Sequence, residues 1–329
     1  MPRHEIVVSA ENNHYMVWQA MLFHFSCVKH LGRPPIVVVH KHDEPLLPGF
    51  ERIRASGGIV QTAPNYRDLN GILYPPRNTA GSLRHVETDA DFIVLCDPDM
   101  LFLQPLPFDD LTLTGRQVSF DFVGYLAPEA DVYQPTLDNV CRAAGLAPEK
   151  LRHPVIDGGV PHVIPTVWQQ KLSDEWFELM ELFPTIGSSH PDAGGGVSPA
   201  SDTNPHKDWL ATMWAVVMAM HRLNLEPVMT GLCVTNCQGD NPLPPLDATG
   251  PKMLHFCYGG PGFDKRRFGG PTDSEVAVWN VPPDDGTIGG AIRHQLREAR
   301  QFYGLSPSST ASHSVCSTQR SALPTREWS

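Results

Sequence analysis

Phe92-Ile93-Val94-Leu95-Cys96 is a strand-type run without a charge, and it leads straight into Asp97-Pro98-Asp99. Uncharged, β-favouring runs of this length predict a strand covered on both faces, as in a parallel sheet flanked by helices. Three earlier segments have the same character. They are Ile6-Val7-Val8, Ile36 to Val39, and a run beginning at Gly58-Ile59-Val60. Between the first two, residues 14–31 carry Val17, Met21, Phe25 and Val28 at helical spacing. Residues 78–87 predict a short helix, with Asn78 or Thr79 as its N-cap. The alternation predicts an α/β fold with a mainly parallel central sheet and helices on both faces, in a single large domain.

The second half is more mixed. Val160 to Ile164 predicts a strand, and residues 166–183 an amphipathic helix. Residues 186–205 are rich in Gly, Ser, Pro, Asp and His, which predicts a mobile loop. Residues 206–224 predict an apolar helix with Trp209, Met213, Trp214 and Val217. Strands are expected near 226–235 and 252–257, and a charged helix over about 288–303. From Ser306 the chain is rich in Ser, Thr and Pro and is expected to be disordered.

The bulk composition narrows the partners. With 41% hydrophobic residues among 329, a large core can be buried. A formal net charge of −11 argues against nucleic acid or an anionic membrane as partner. It does not exclude phosphate ligands, because a divalent cation supplies positive charge locally. Seven cysteines, an odd number with no CxxC pair, favour reduced thiols and a cytoplasmic setting. The start of the chain has no signal-peptide pattern, and no apolar stretch is long enough to span a bilayer. A luminal Golgi or ER domain cut from its anchor is the alternative.

The acidic triplet carries the chemistry. In an open α/β sheet, ligands gather outside the carboxyl ends of the strands, where Asp97 and Asp99 are expected. Two carboxylates that close repel, and a cation between them relieves the repulsion. Their oxygens suit Mg²⁺ or Mn²⁺, which also bind diphosphate oxygens. The triplet by itself also reads as a plain turn, since Asp and Pro both favour turns. A second segment, Lys252-Met253-Leu254-His255-Phe256-Cys257-Tyr258-Gly259-Gly260, joins a short apolar strand to a His and a Gly-rich stretch. Imidazole is a ligand for Mn²⁺. Gly259 lets backbone N–H groups approach phosphate, and Lys265, Arg266 and Arg267 follow. The bland alternative is a histidine at the core edge beside a solvated basic loop.

These two segments, in this order, resemble the GT-A glycosyltransferases over roughly residues 5–268. The resemblance implies that Asp97, Asp99 and His255 hold one Mn²⁺ (or Mg²⁺), which grips the diphosphate of a UDP-sugar donor. "Leu254-His255-Phe256 … Gly259 … Lys265" looks like the diphosphate clamp of glycogenin-like retaining enzymes. The string from Asp97 to Pro107 is similar to the hydroxyproline O-arabinosyltransferase and peptidyl serine α-galactosyltransferase group, as is the helix from His206 to Ala215. That group usually has an acidic residue where Thr212 stands. A nucleotide-binding half is expected over 1–110, an acceptor half with the C-terminal helix over 111–304, and a disordered tail over 305–329.

Further site residues follow from the resemblance. Asn12 and Asn13 have the donor and acceptor pairs to read a uracil edge, or cap the following helix. Arg84 is expected on the donor phosphate or sugar, with Arg77 as a neighbour and a surface position as the alternative. In Ile156-Asp157-Gly158-Gly159-Val160, Asp157 accepts from sugar hydroxyls and the glycines allow close approach; a Gly-rich turn is the alternative. Asp208 serves as acceptor base or stabilises an oxocarbenium-like state, or favours the dipole of its helix. The acceptor is expected to be a peptide Hyp or Ser, or a glycan, with the configuration retained. A catalytically inactive GT-A-like binding domain, an NDP-sugar nucleotidyltransferase and a metal-dependent hydrolase are the rival readings. The nucleotidyltransferase lacks its usual Gly-rich basic loop here, where Ser9-Ala10-Glu11-Asn12 stands instead.

Overall fold

The computed structural model describes residues 2–69, 73–111, 113–121, 134–151, 158–183, 205–235, 239–257, 259–260 and 262–305. The first half runs β1 (His4–Glu11), α1 (His14–Leu31), β2 (Ile36–Lys41), α2 (Pro48–Ala55), β3 (Ile59–Pro64), α3 (Arg77–His85), β4 (Phe92–Cys96) and β5 (Met100–Phe102). The second half runs β6 (Gln117–Asp121), α4 (Gln134–Ala143), β7 (Gly159–Pro165), α5 (Gln169–Met180), α6 (Pro205–Arg222), β8 (Glu226–Met229), β9 (Cys233–Thr235), β10 (Met253–His255), β11 (Gly259–Gly260), β12 (Phe263–Asp264), α7 (Pro271–Glu275) and α8 (Ile288–Phe302). A seven-stranded sheet takes the order β3-β2-β1-β4-β7-β6-β8. Its pairs are parallel except those on either side of β7, which runs against its neighbours.

The uncharged strands explain the layering. Side chains alternate along a strand, so one apolar run feeds two cores. Ile6, Val8, Val37, Val39, Val94 and Cys96 pack with α1, α2 and α8. Val7, Ile36, Val38, Ile93, Leu95 and Ile164 pack with α3, α5 and α6. Each fully buried Val, Leu or Ile contributes about 1.5–3 kcal/mol, so the strands stabilise both cores. α1 is buried from Val17 to Cys27. Asn13 caps its start, accepting from Met16 N–H, and Gly32 ends it in the left-handed region at φ 68°.

Several features differ from the sequence reading, which also placed no element at β6, α4, α7 or the β11–β12 hairpin. α3 begins at Arg77 with Pro76 as N-cap and no side-chain cap bond. Asn78 instead accepts from Tyr66 N–H at 2.9 Å, so its side chain serves tertiary packing. The stretch expected as one strand near 226–235 is divided. β8 closes the main sheet, while β9 joins β5 and β10 in a second sheet, with Gly231 between them at φ 62°. α2 was not foreseen. Its Pro48 sits in the first turn, where a missing N–H costs nothing. The expected loop 186–205 and the tail beyond Ser306 lie outside the described residues, apart from Pro205 at the start of α6. Among the described residues, no helix is long and apolar enough to cross a membrane. Cys27, Cys96 and Cys233 are free thiols.

Candidate metal and donor site

Asp97 and Asp99 stand just past the carboxyl end of β4. The chain turns at once into β5, which pairs antiparallel with β10 and sets Met100 opposite His255. Phe256 N–H donates to the Asp99 carbonyl at 2.8 Å and extends this pairing. Backbone register therefore brings His255 to the acidic pair, and its Nε2 lies 3.3 Å from Asp99 Oδ1. One ligand atom from each of Asp97, Asp99 and His255 lies within 4.8 Å of the other two. Two carboxylates and an imidazole are a donor set for Mn²⁺ or Mg²⁺. His255 Nδ1 is buried without a hydrogen-bond partner. This trio can hold a divalent cation.

The charges fit that use. Burial and the neighbouring Asp99 charge raise the Asp97 carboxyl to about 6, though Thr79 donates a hydrogen bond to it. Burial alone would raise Asp99 too, but the Lys265 ammonium and His255 hold it well below the usual carboxylate range. Burial pulls His255 down, and Asp99 more than reverses this. Lys265 bonds Asp99 directly and is buried, and that carboxylate holds its ammonium charged. The β11–β12 hairpin delivers Lys265, pairing Gly259 with Asp264, whose carboxylate then accepts from Arg266 N–H at 3.0 Å.

A cavity of about 420 Å³ opens beside these groups. Its walls come from the end of β1, the first turns of α1, the start of α3, β7, α5 and α6. Asp97, Asp99, His255, Lys265 and Arg266 line it. So do Glu11, Tyr15 and His162, which sequence reasoning did not single out for this site, and Thr212, which stands where the resembled group usually has an acidic residue. Glu11 accepts from Arg67 at 2.5 Å and from Asn13 and Asn78 at 3.0 Å each. Burial outweighs Arg67 and raises its carboxyl. The available signal was the one that marked Asp97: a carboxylate at the end of a buried strand.

Other expected residues sit elsewhere. Asn12 donates to Pro45 O at 2.8 Å and accepts from Leu47 N–H at 2.9 Å, so it holds the β2–α2 loop. Asn13 uses its carbonyl as the α1 cap and its amide on Glu11. Neither lines the cavity. Arg84 pairs with Asp174 at 2.7 Å and lies over the Phe177 ring at 4.3 Å, on the face of α3 that meets α5. A nearby carboxylate and an aromatic face hold the guanidinium there, and Arg84 does not line the cavity. Arg77 is fully buried and pairs with Glu181 at 2.6 Å. Asp157 lies outside the described residues. Asp208 falls in the first turns of α6, the helix whose Thr212 and Met213 line the cavity.

No protein-family model matches this chain, and no curated protein matches it in sequence. Solved structures do. The galactosyltransferase LgtC, in complex with donor and acceptor sugar analogues, superposes with a TM-score of 0.51 at 14% identity. The match covers 91% of this chain and 95% of that one. The fold is of the GT-A type. An active-site mutant of LgtC gives 0.49 at 13% identity over the same shares of the two chains. The bifunctional glycosyltransferase WbbM gives 0.48 at 10%, covering 92% of this chain and 51% of that one.

Proposed function

We propose that this chain is a metal-dependent glycosyltransferase that moves a sugar from a UDP-sugar to an acceptor hydroxyl. The observation that carries this is the convergence of Asp97, Asp99 and His255 at one point beside a cavity, just past the central parallel strand. The GT-A type of fold supports it. A bound Mn²⁺ or Mg²⁺ supplies Lewis-acid stabilisation of the departing diphosphate. The protein's own groups do the rest. Asp97, Asp99 and His255 orient the cation, and Lys265 and Arg266 offer N–H donors to phosphate oxygens. Gly158 and Gly159 let the donor approach the backbone of β7. Asp157 and Asp208 are the carboxylates assigned to the sugar and the incoming hydroxyl, as base or as stabiliser of positive charge. The acceptor is a peptide hydroxyl (Hyp or Ser) or a glycan, and the configuration is retained.

Titration calorimetry of UDP with and without Mn²⁺, followed by hydrolysis of a panel of UDP-sugars, tests the reading. Mn²⁺-dependent UDP binding that disappears in Asp99→Ala is the expected result. Absence of UDP binding with every divalent metal tried would overturn the UDP-sugar assignment.

A further inference from the structure

Lys265 is 8% exposed, and an ammonium buried to that extent needs an anion beside it. The anion is Asp99, whose Oδ2 the Lys265 Nζ meets directly. The other oxygen of this carboxylate, Oδ1, lies 3.3 Å from His255 Nε2. Both oxygens of Asp99 are therefore engaged by groups of the protein, although Asp99 is also a member of the trio that can hold a divalent cation. Lys265 reaches it from the short turn Lys265–Arg267 that follows β12, and its Nζ lies 5.8 Å from the centre of the Tyr15 ring. Arg266 in the same turn has a carboxylate of its own. Its Nε and Nη2 lie 2.9 and 3.0 Å from the two oxygens of Asp264. Lys265 differs, because its partner is a candidate metal ligand. The ammonium and a divalent cation compete for one carboxylate.

Charge decides that competition. Asp97 and Asp99, when ionised, carry two negative charges, and Lys265 carries one positive charge. A divalent cation added to them leaves positive charge in excess at a largely buried place, which is costly away from water. A diphosphate removes the excess, because its oxygens ligate the cation and also accept from an ammonium. Lys265 lines the cavity, and a lysine stem is flexible, so rotation of the side chain is enough to turn it from Asp99 to a phosphate there. We infer that Lys265 couples the two ligands: its ammonium holds Asp99 against a divalent cation alone, and yields the carboxylate when a nucleoside diphosphate arrives. The site then takes metal and diphosphate together in preference to the free cation. This rests on the glycosyl-transfer reading above. The coupling is reciprocal, since the factor by which nucleotide tightens metal binding is the factor by which metal tightens nucleotide binding.

Mn²⁺ affinity is measured from the electron paramagnetic resonance signal of the free ion, with and without saturating UDP. The proteins compared are the wild type, Lys265→Met and Lys265→Arg, and circular dichroism checks that each is folded. The expected result is that Lys265→Met binds Mn²⁺ alone about tenfold more tightly than the wild type, and that the enhancement by UDP shrinks by about the same factor. Lys265→Arg, which keeps the charge, should stay with the wild type. Lys265→Gln, which keeps a hydrogen bond to Asp99 without the charge, gives the same readout if Lys265→Met does not fold. A lysine that only supports the fold, or only binds phosphate, would leave the affinity for Mn²⁺ alone unchanged or weaker in Lys265→Met. That pattern, with UDP still binding the wild type, overturns this inference and leaves the transferase reading standing. If UDP binds the wild type with no divalent metal, the transferase reading fails and the coupling fails with it.

Discussion

Replacing Lys265 by Met should destabilise the protein and make it more responsive to Mn²⁺. The side chains of Lys265 and Asp99 are each 10% exposed, and their ion pair is direct. Removing one member of a buried pair costs about 3–5 kcal/mol, because the other charge stays buried without compensation. His255 remains beside Asp99, which places the expectation at the lower end, about 3 kcal/mol. Unfolding entropy near 2.1 cal/mol/K per residue gives about 0.7 kcal/mol/K for 329 residues. The melting temperature should therefore fall by about 4 °C. Without the ammonium, Asp97 and Asp99 repel more strongly, and a divalent cation relieves more strain than it does in the wild type. Thermal melts followed by circular dichroism, with and without millimolar Mn²⁺, measure both effects. A variant that melts with the wild type, or that gains no more from Mn²⁺, would refute the reasoning.

Arg84→Ala should leave UDP affinity unchanged and lower stability by about 1 kcal/mol or less, because the Arg84–Asp174 pair is partly exposed. A tenfold loss of UDP affinity in calorimetry would instead place this guanidinium on the donor. Gly158→Ala should cost more than about 2 kcal/mol, since Gly158 has φ 59° and a Cβ there would lie 2.4 Å from the Met213 carbonyl. A denaturant titration with an unshifted midpoint would contradict this. Acid should destabilise the fold through His40, whose Nδ1 lies 2.7 Å from Pro64 O and whose Nε2 lies 2.8 Å from Ser82 Oγ. Burial lowers its pKa from 6.5 to about 4, so its contribution is complete above pH 6.5 and is lost as pH falls through about 4. A shift of that size is worth up to about 3 kcal/mol. If stability across that window is the same in His40→Asn as in the wild type, the assignment to His40 is wrong.

The sequence by itself determined the strand-and-helix alternation of the first half and the candidate metal trio. Short, β-rich, uncharged runs such as Ile6-Val7-Val8 and Phe92 to Cys96, alternating with helical spacing, favour strands flanked by helices, and Asp97 and Asp99 then emerge at the carboxyl edge. His255 was legible for a similar reason, as a ligand-type residue at the end of a short apolar strand. The uses of polar side chains were not legible, because propensity does not say which partner wins. Asn13 has the groups to read a base, and the start of α1 took its carbonyl. Arg84 has the groups to bind phosphate, and Asp174 and Phe177 took it. The division of 226–235 between two sheets depends on where β6 and β10 lie, which no local window contains. Glu11, Tyr15, His162 and Thr212 come from four separate elements. Only packing of β1, α1, β7 and α6 around one space makes them neighbours, and that packing is set by the summed burial of side chains remote from the site.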